Sequence, residues 1–141
     1  MQNNAAFSPD GRWLAYVSAE TGSQEVYVRP FPGAGGRVRV STNGGGHPMW
    51  SRARSELFYR AVDNSVMVVS YQSVGGTFNV AKPSRWSATP LEARGPFRSF
   101  DLHPSGERFA IMTAPAEERK RDHVTLFLDF ADELRRLVPV R

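Results

Sequence analysis

Three ungapped segments of this chain repeat one pattern, and that pattern restricts the possible folds more than any single residue does. Phe7-Ser8-Pro9-Asp10-Gly11-Arg12-Trp13-Leu14-Ala15-Tyr16 aligns with Trp50-Ser51-Arg52-Ala53-Arg54-Ser55-Glu56-Leu57-Phe58-Tyr59. Both align with Leu102-His103-Pro104-Ser105-Gly106-Glu107-Arg108-Phe109-Ala110-Ile111. Each copy places a large apolar residue, a four-residue polar turn, two further residues and an apolar strand. Successive copies start about 40–50 residues apart, the period of four-stranded units that stack face to face as propeller blades. The longer second step is absorbed by Ala81 to Pro96, which carries Pro and Gly.

The turns have a local chemical cause. In Ser8-Pro9-Asp10-Gly11, Pro9 presets φ at the first central position, and Gly11 tolerates positive φ as the chain reverses. Asp10 can bond the backbone two residues on. His103-Pro104-Ser105-Gly106 keeps Pro and Gly in the same places. Ser51-Arg52-Ala53-Arg54 has neither, so a looser turn is expected there.

Beyond each turn, apolar residues alternate with the two-residue period of half-buried strands. Trp13 to Val17 leads through Glu20-Thr21-Gly22-Ser23 into Glu25 to Arg29, in which Val26 and Val28 share a face and Tyr27 takes the other. Arg37-Val38-Arg39-Val40-Ser41 reads as an outer strand whose wet, cationic face discourages edge pairing. The second unit repeats the order with Glu56 to Arg60, Ser65 to Tyr71 and Thr77 to Val80. The third has Phe97 to Leu102, Glu107 to Thr113 and His123 to Phe130, with Ala114 to Arg121 as a charged loop. Leu134, Leu137 and Val138 give a short helix from Ala131 to Leu137, stopped by Pro139. The expected fold is therefore all-β: about three four-stranded antiparallel blades over 1–42, 43–96 and 97–141. The last blade is incomplete and is followed by the short C-terminal helix.

Propellers close with four to eight blades, so three would leave an apolar flank and unpaired strand edges. Either a longer parent chain supplies the remaining blades, or two copies combine as a 3 + 3 homodimer.

Composition excludes several classes of function. Hydrophobic residues are 40% and charged residues 23% of the 141, a globular balance. No apolar run reaches the ~18 residues of a membrane-spanning helix, and Met1-Gln2-Asn3-Asn4 lacks the basic start and apolar core of a signal peptide. Without Cys there is no disulfide framework, thiolate catalysis or Cys-ligated zinc. The net charge is +4, and 16 of the 18 cations are Arg. They run from Arg12 to Arg141 instead of forming one block, so no specific nucleic-acid partner is expected.

No catalytic constellation stands out. There is no Gly-x-Ser-x-Gly elbow, and Ser8, Ser51 and Ser105 belong to the repeated turns. His47, His103 and His123 show no metal-ligand spacing. Asp101 and His103 could share a strand face but lack a third ligand, so neither a metal nor a cofactor is expected. Gly44-Gly45-Gly46 is followed by neither Lys-Ser/Thr nor a helix, and reads as a connecting turn, not a phosphate cradle. Phe7, Trp13, Tyr16, Trp50, Phe58 and Tyr59 recur at equivalent positions and read as packing between units. The candidate ligand contacts lie on loops. His47 leads into an innermost strand, Arg52 and His103 follow innermost strands at the opposite mouth, and Trp86 sits in the basic, aromatic loop Lys82-Pro83-Ser84-Arg85-Trp86.

The stretch Ala6 to Ser18, with Gly22 and Glu25-Val26-Tyr27-Val28 after it, resembles the TolB-like, WD-repeat-like β-propeller family. Val28-Arg29-Pro30-Phe31-Pro32-Gly33, the run from Val40 to Ser51 and the ending Val124 to Leu134 are similar to the C-terminal propellers attached to bacterial serine/threonine protein kinases. The resemblance extends over nearly the whole chain. It departs from the WD signature, since no Trp-Asp dipeptide occurs. The kinase glycine loop, His-Arg-Asp and Asp-Phe-Gly segments are also absent, so no kinase activity carries over. What the resemblance implies is a non-enzymatic sensor or docking module in a periplasmic or other extracytoplasmic setting, recognising a protein, peptide or other ligand. The alternative it implies is the gating propeller of a prolyl-oligopeptidase-like hydrolase.

Overall fold

The computed structural model describes residues 4–33, 35–87 and 100–111. Among these, every regular element is a β-strand and every pairing is antiparallel. Strands β1 (Ala6–Phe7), β2 (Trp13–Ser18), β3 (Glu25–Pro30) and β4 (Val38–Arg39) form one sheet in chain order. A second sheet runs β5 (Gly46–Trp50), β6 (Glu56–Arg60), β7 (Val66–Val74) and β8 (Thr77–Val80), and β9 (Ser84–Arg85) also pairs with β7. Strands β10 (Phe100–Leu102) and β11 (Phe109–Ile111) make a hairpin. The strand expected over 123–130, the charged loop over 114–121 and the helix over 131–137 lie outside the described residues.

The ungapped repeat folds as one hairpin made three times. Phe7 pairs with Leu14, Trp50 with Leu57 and Leu102 with Phe109, each at the same spacing. Each turn is closed by the same backbone bond: Ser8 N–H to Trp13 O, Ser51 N–H to Glu56 O and His103 N–H to Arg108 O, at 2.9, 2.9 and 2.8 Å. Inside it, Gly11 and Gly106 take φ of 69° and 75° and donate to Ser8 O and His103 O. The middle turn has no glycine at this place. There Ser51 Oγ accepts from Arg54 N–H at 3.1 Å, so a side chain replaces the inner backbone acceptor while the outer closure is kept. Asp10 caps its own turn as its residue type favours, accepting from Arg12 N–H and from Ser8 Oγ.

Two faces of the second sheet carry the packing. Strand alternation sends Trp50, Leu57, Tyr59 and Val69 to one side, where they meet Trp13, Ala15, Val17, Val26 and Val28 of the first sheet. Met49, Phe58 and Val66 go to the other side and pack on Phe100, with Leu102 and Phe109 at the margin. Leu57 and Phe58, adjacent on β6, are both fully buried. The first-sheet interface is also fixed by reciprocal indole bonds: Trp50 Nε1–H donates to Ala6 O and Trp13 Nε1–H to Ser73 Oγ, each at 2.9 Å.

The outer strand β4 is shorter than the run Arg37 to Ser41 would allow. Val40 N–H and Ser41 N–H both turn to Val26 O, which ends the ladder. Ser41 then joins a buried knot. Its hydroxyl accepts from Val26 N–H at 2.8 Å and donates to Glu25, whose other oxygen accepts from Gly44 N–H at 3.0 Å. A buried carboxylate needs such donors to offset its desolvation. Here they pin the connection between the two sheets.

Candidate functional site

Two concavities border β5. The larger, about 770 Å³, is a groove lined by all three hairpin turns: Phe7 to Pro9, Arg52, and Asp101 to Pro104 all contribute. Arg52 and His103, placed by sequence reasoning at one mouth, are brought together on this groove. Arg52 is exposed. The His103 ring folds back on its own turn, with Nδ1 3.0 Å from Ser105 Oγ and 3.2 Å from Ser105 N. His103 stands where Ser8 does in the first turn, and Ser105 takes the capping part of Asp10, its Oγ accepting from Glu107 N–H at 3.4 Å.

The smaller cavity, about 390 Å³, is lined by Gly44 to His47 at the start of β5, by Arg60 to Val62, and by Asn4, Asn64 and Val17. His47, near the start of β5, is therefore separated from Arg52 and His103. Its ring is buried, lies 3.0 Å from Asn4 Nδ2 through Nδ1, and meets the edge of Phe100 at a centroid distance of 5.8 Å. The register of β5 with β6 shifts between Gly46 and Met49, so His47 departs from the ladder with φ of 54°. The glycines before it serve packing. A Cβ on Gly45 would come within 2.9 Å of both Ser41 and Tyr59, and the N–H groups of Gly44 and Gly45 are bonded to Glu25 and Gln24.

Trp86 joins neither concavity. Its ring sits 4.9 Å from Phe109 and 6.1 Å from Phe58, at the partly exposed margin of the second packing face. Phe7 also differs from its expected packing part. It is 56% exposed on the groove, with the edge of Phe31 against it at 4.9 Å.

Arg60 is the residue that sequence reasoning missed. Nothing in a strand-terminal Arg sets it apart until the register places it opposite Gly46. Its Nη1 is buried, and no group among the described residues accepts a hydrogen bond from it. Burial pulls the guanidinium below its ordinary basicity. Tyr59 next to it is pushed up to about 12, by burial first and then by the Glu25 charge. Among the described residues no three His, Asp or Glu side chains gather as a metal site, and no helix is long and apolar enough to cross a membrane.

The chain matches no family model and no curated protein.

Proposed function

We propose that this chain is a non-catalytic segment of a β-propeller that binds a protein, peptide or similar ligand across the groove. One observation carries the reading. Trp50, Leu57 and Tyr59 of the second sheet face the first sheet, and Leu102 and Phe109 of the hairpin face the second. The repeat equivalents in the first sheet, Phe7, Leu14 and Tyr16, take the opposite side from Trp13, Ala15 and Val17. The first sheet thus offers to a preceding unit the positions by which each later unit meets its predecessor.

On that face Tyr16 stacks on Tyr27 at 5.9 Å, the Arg37 guanidinium lies 4.7 Å over Tyr27, and Phe7 is exposed. Further blades, from a parent chain or a second copy, would cover it. The groove offers Arg52 and Asp101, a cation and an anion, with apolar Leu102 between the turns. Such a mixture suits a peptide or protein surface better than a uniformly charged polymer. The TolB-like resemblance supports the same reading, and the kinase-linked resemblance fits a sensor or docking role.

Selection of binders from a random peptide library on the immobilised chain tests this. Arg52→Ala is expected to weaken selected binders by about tenfold with an unchanged thermal midpoint. Peptidase, esterase and phosphatase substrates are expected to show no turnover. An activity abolished by changing one side chain of the groove would overturn the non-catalytic reading.

A further inference from the structure

We propose that the cavity beside Arg60 is a second binding site, taking a ligand that carries one carboxylate on an apolar stem. An arginine that cannot shed its proton needs an acceptor, and a buried guanidinium N–H without one is costly. Arg60 makes no ion pair among the described residues, and its buried Nη1 has no partner. The side chain as a whole is only half-buried and lines the cavity. Rotation of its guanidinium into that space therefore brings the donor to a ligand.

Backbone strain marks the same place. Among the described residues, the non-glycine positions with left-handed φ are Asn4, His47 and Asn64, at 65°, 54° and 63°. All three border this cavity. Asn takes this region readily in turns, whereas His47 holds it inside a strand, and strain of that kind concentrates where a site must be held in shape.

The ligand class follows from the lining. Among the described residues Arg60 is the one arginine or lysine on it, so a single negative charge is matched and a phosphate dianion is not. The Gly44 and Gly45 N–H groups that could cradle phosphate are already engaged. Val17 and the exposed Val62 provide an apolar wall. The volume lies at the small end of ligand pockets. A peptide's terminal carboxylate and a short free organic acid share this chemistry. The site is separate from the groove and does not depend on its reading.

The test titrates the 141-residue chain with N-acetylvaline, valerate and N-acetylvalinamide, following backbone and arginine side-chain NMR signals. The two acids are expected to shift Arg60 and the 43–47 loop, and the uncharged amide is expected to bind at least about tenfold more weakly. N-acetylvaline binding tighter than valerate assigns a peptide end, and equal or weaker binding assigns a free acid. Arg60→Gln is expected to abolish the preference for acid over amide, whereas Arg52→Ala leaves it intact. Arg60→Met is expected to leave the unliganded thermal midpoint unchanged or raised, since it removes a buried donor that has no acceptor among the described residues. Equal binding of acid and amide overturns the proposal, as does the absence of binding by either acid up to roughly 10 mM. A lowered midpoint in Arg60→Met, with acid binding retained in Arg60→Gln, overturns it as well.

Discussion

The two faces of the second sheet solve the same packing problem with different means. Toward the first sheet, aliphatic and aromatic residues interlock, and two indoles donate in opposite directions across the interface. Toward the β10–β11 hairpin the contact among the described residues is smaller and mostly aromatic, with Phe109 meeting Phe58, Phe100 and Trp86. Its charged contact, Arg54 with Glu107 at 2.8 Å, is solvent-exposed on both sides. Equivalent positions of one repeat therefore make a polar-anchored junction on one side and a greasy, partly wet one on the other. Hairpin geometry is set locally, whereas the strength of a junction depends on what its neighbour offers.

The largest effects come from truncating the two adjacent core residues of β6. Leu57→Ala is expected to cost about 2–5 kcal/mol and Phe58→Ala about 3–5 kcal/mol. Amide exchange separates them: Phe58→Ala should expose β10–β11 first, while Leu57→Ala lowers protection across both sheets. Indistinguishable exchange patterns would mean that the two junctions form one cooperative unit.

Alkaline pH probes the first junction next. The Tyr59 phenol ionises near 10 when unfolded but at about 12 when folded. Between these values the unfolded chain has released a proton that the folded chain retains, so stability falls as pH rises. The loss reaches about 3 kcal/mol at most. Denaturant titrations across that window should show the decline in the parent chain and its reduction in Tyr59→Phe.

Gly11 and Gly106 occupy the same turn position at similar positive φ, but only Gly106 presses on a neighbouring unit. A Cβ there would stand 2.8 Å from Ser51 Oγ, whereas one on Gly11 meets nothing within 4 Å. Gly11→Ala should cost about 1–2 kcal/mol from its left-handed backbone alone, and Gly106→Ala more. Equal costs would mean that the hairpin does not seat on the second turn. Smallest of all, Arg54→Ala should change stability by less than about 1 kcal/mol, less still at high salt.

Sequence pattern made the hairpins legible because turn chemistry and strand alternation are short-range. Pro9, Asp10 and Gly11 specify their turn within four residues, and Leu57-Phe58-Tyr59 alternates whatever its surroundings. That Arg52 and His103 border one groove follows from the same repeat: they lie in equivalent turns, one residue apart in the alignment, so a common hairpin geometry puts both turns on one side. Arg60 was not legible. What distinguishes it is a register shift at His47 on the neighbouring strand and a cavity bordered by Asn4 and Val17 of the first sheet, all long-range. Phe7 was read as packed from its resemblance to Trp50. Sequence equivalence transmits a direction, but it does not say whether a neighbour lies there.

The outward direction of Phe7 gives the most direct test. Sedimentation equilibrium of the 141-residue chain, paired with thermal melts over a range of concentrations, asks whether these sheets stand alone. If the first sheet awaits another unit, folding should be tied to association: a species at twice 15.7 kDa, a midpoint that rises with concentration, and loss of both in Phe7→Glu. A monomer at 15.7 kDa that melts cooperatively at a concentration-independent midpoint, unaffected by Phe7→Glu, would contradict the account.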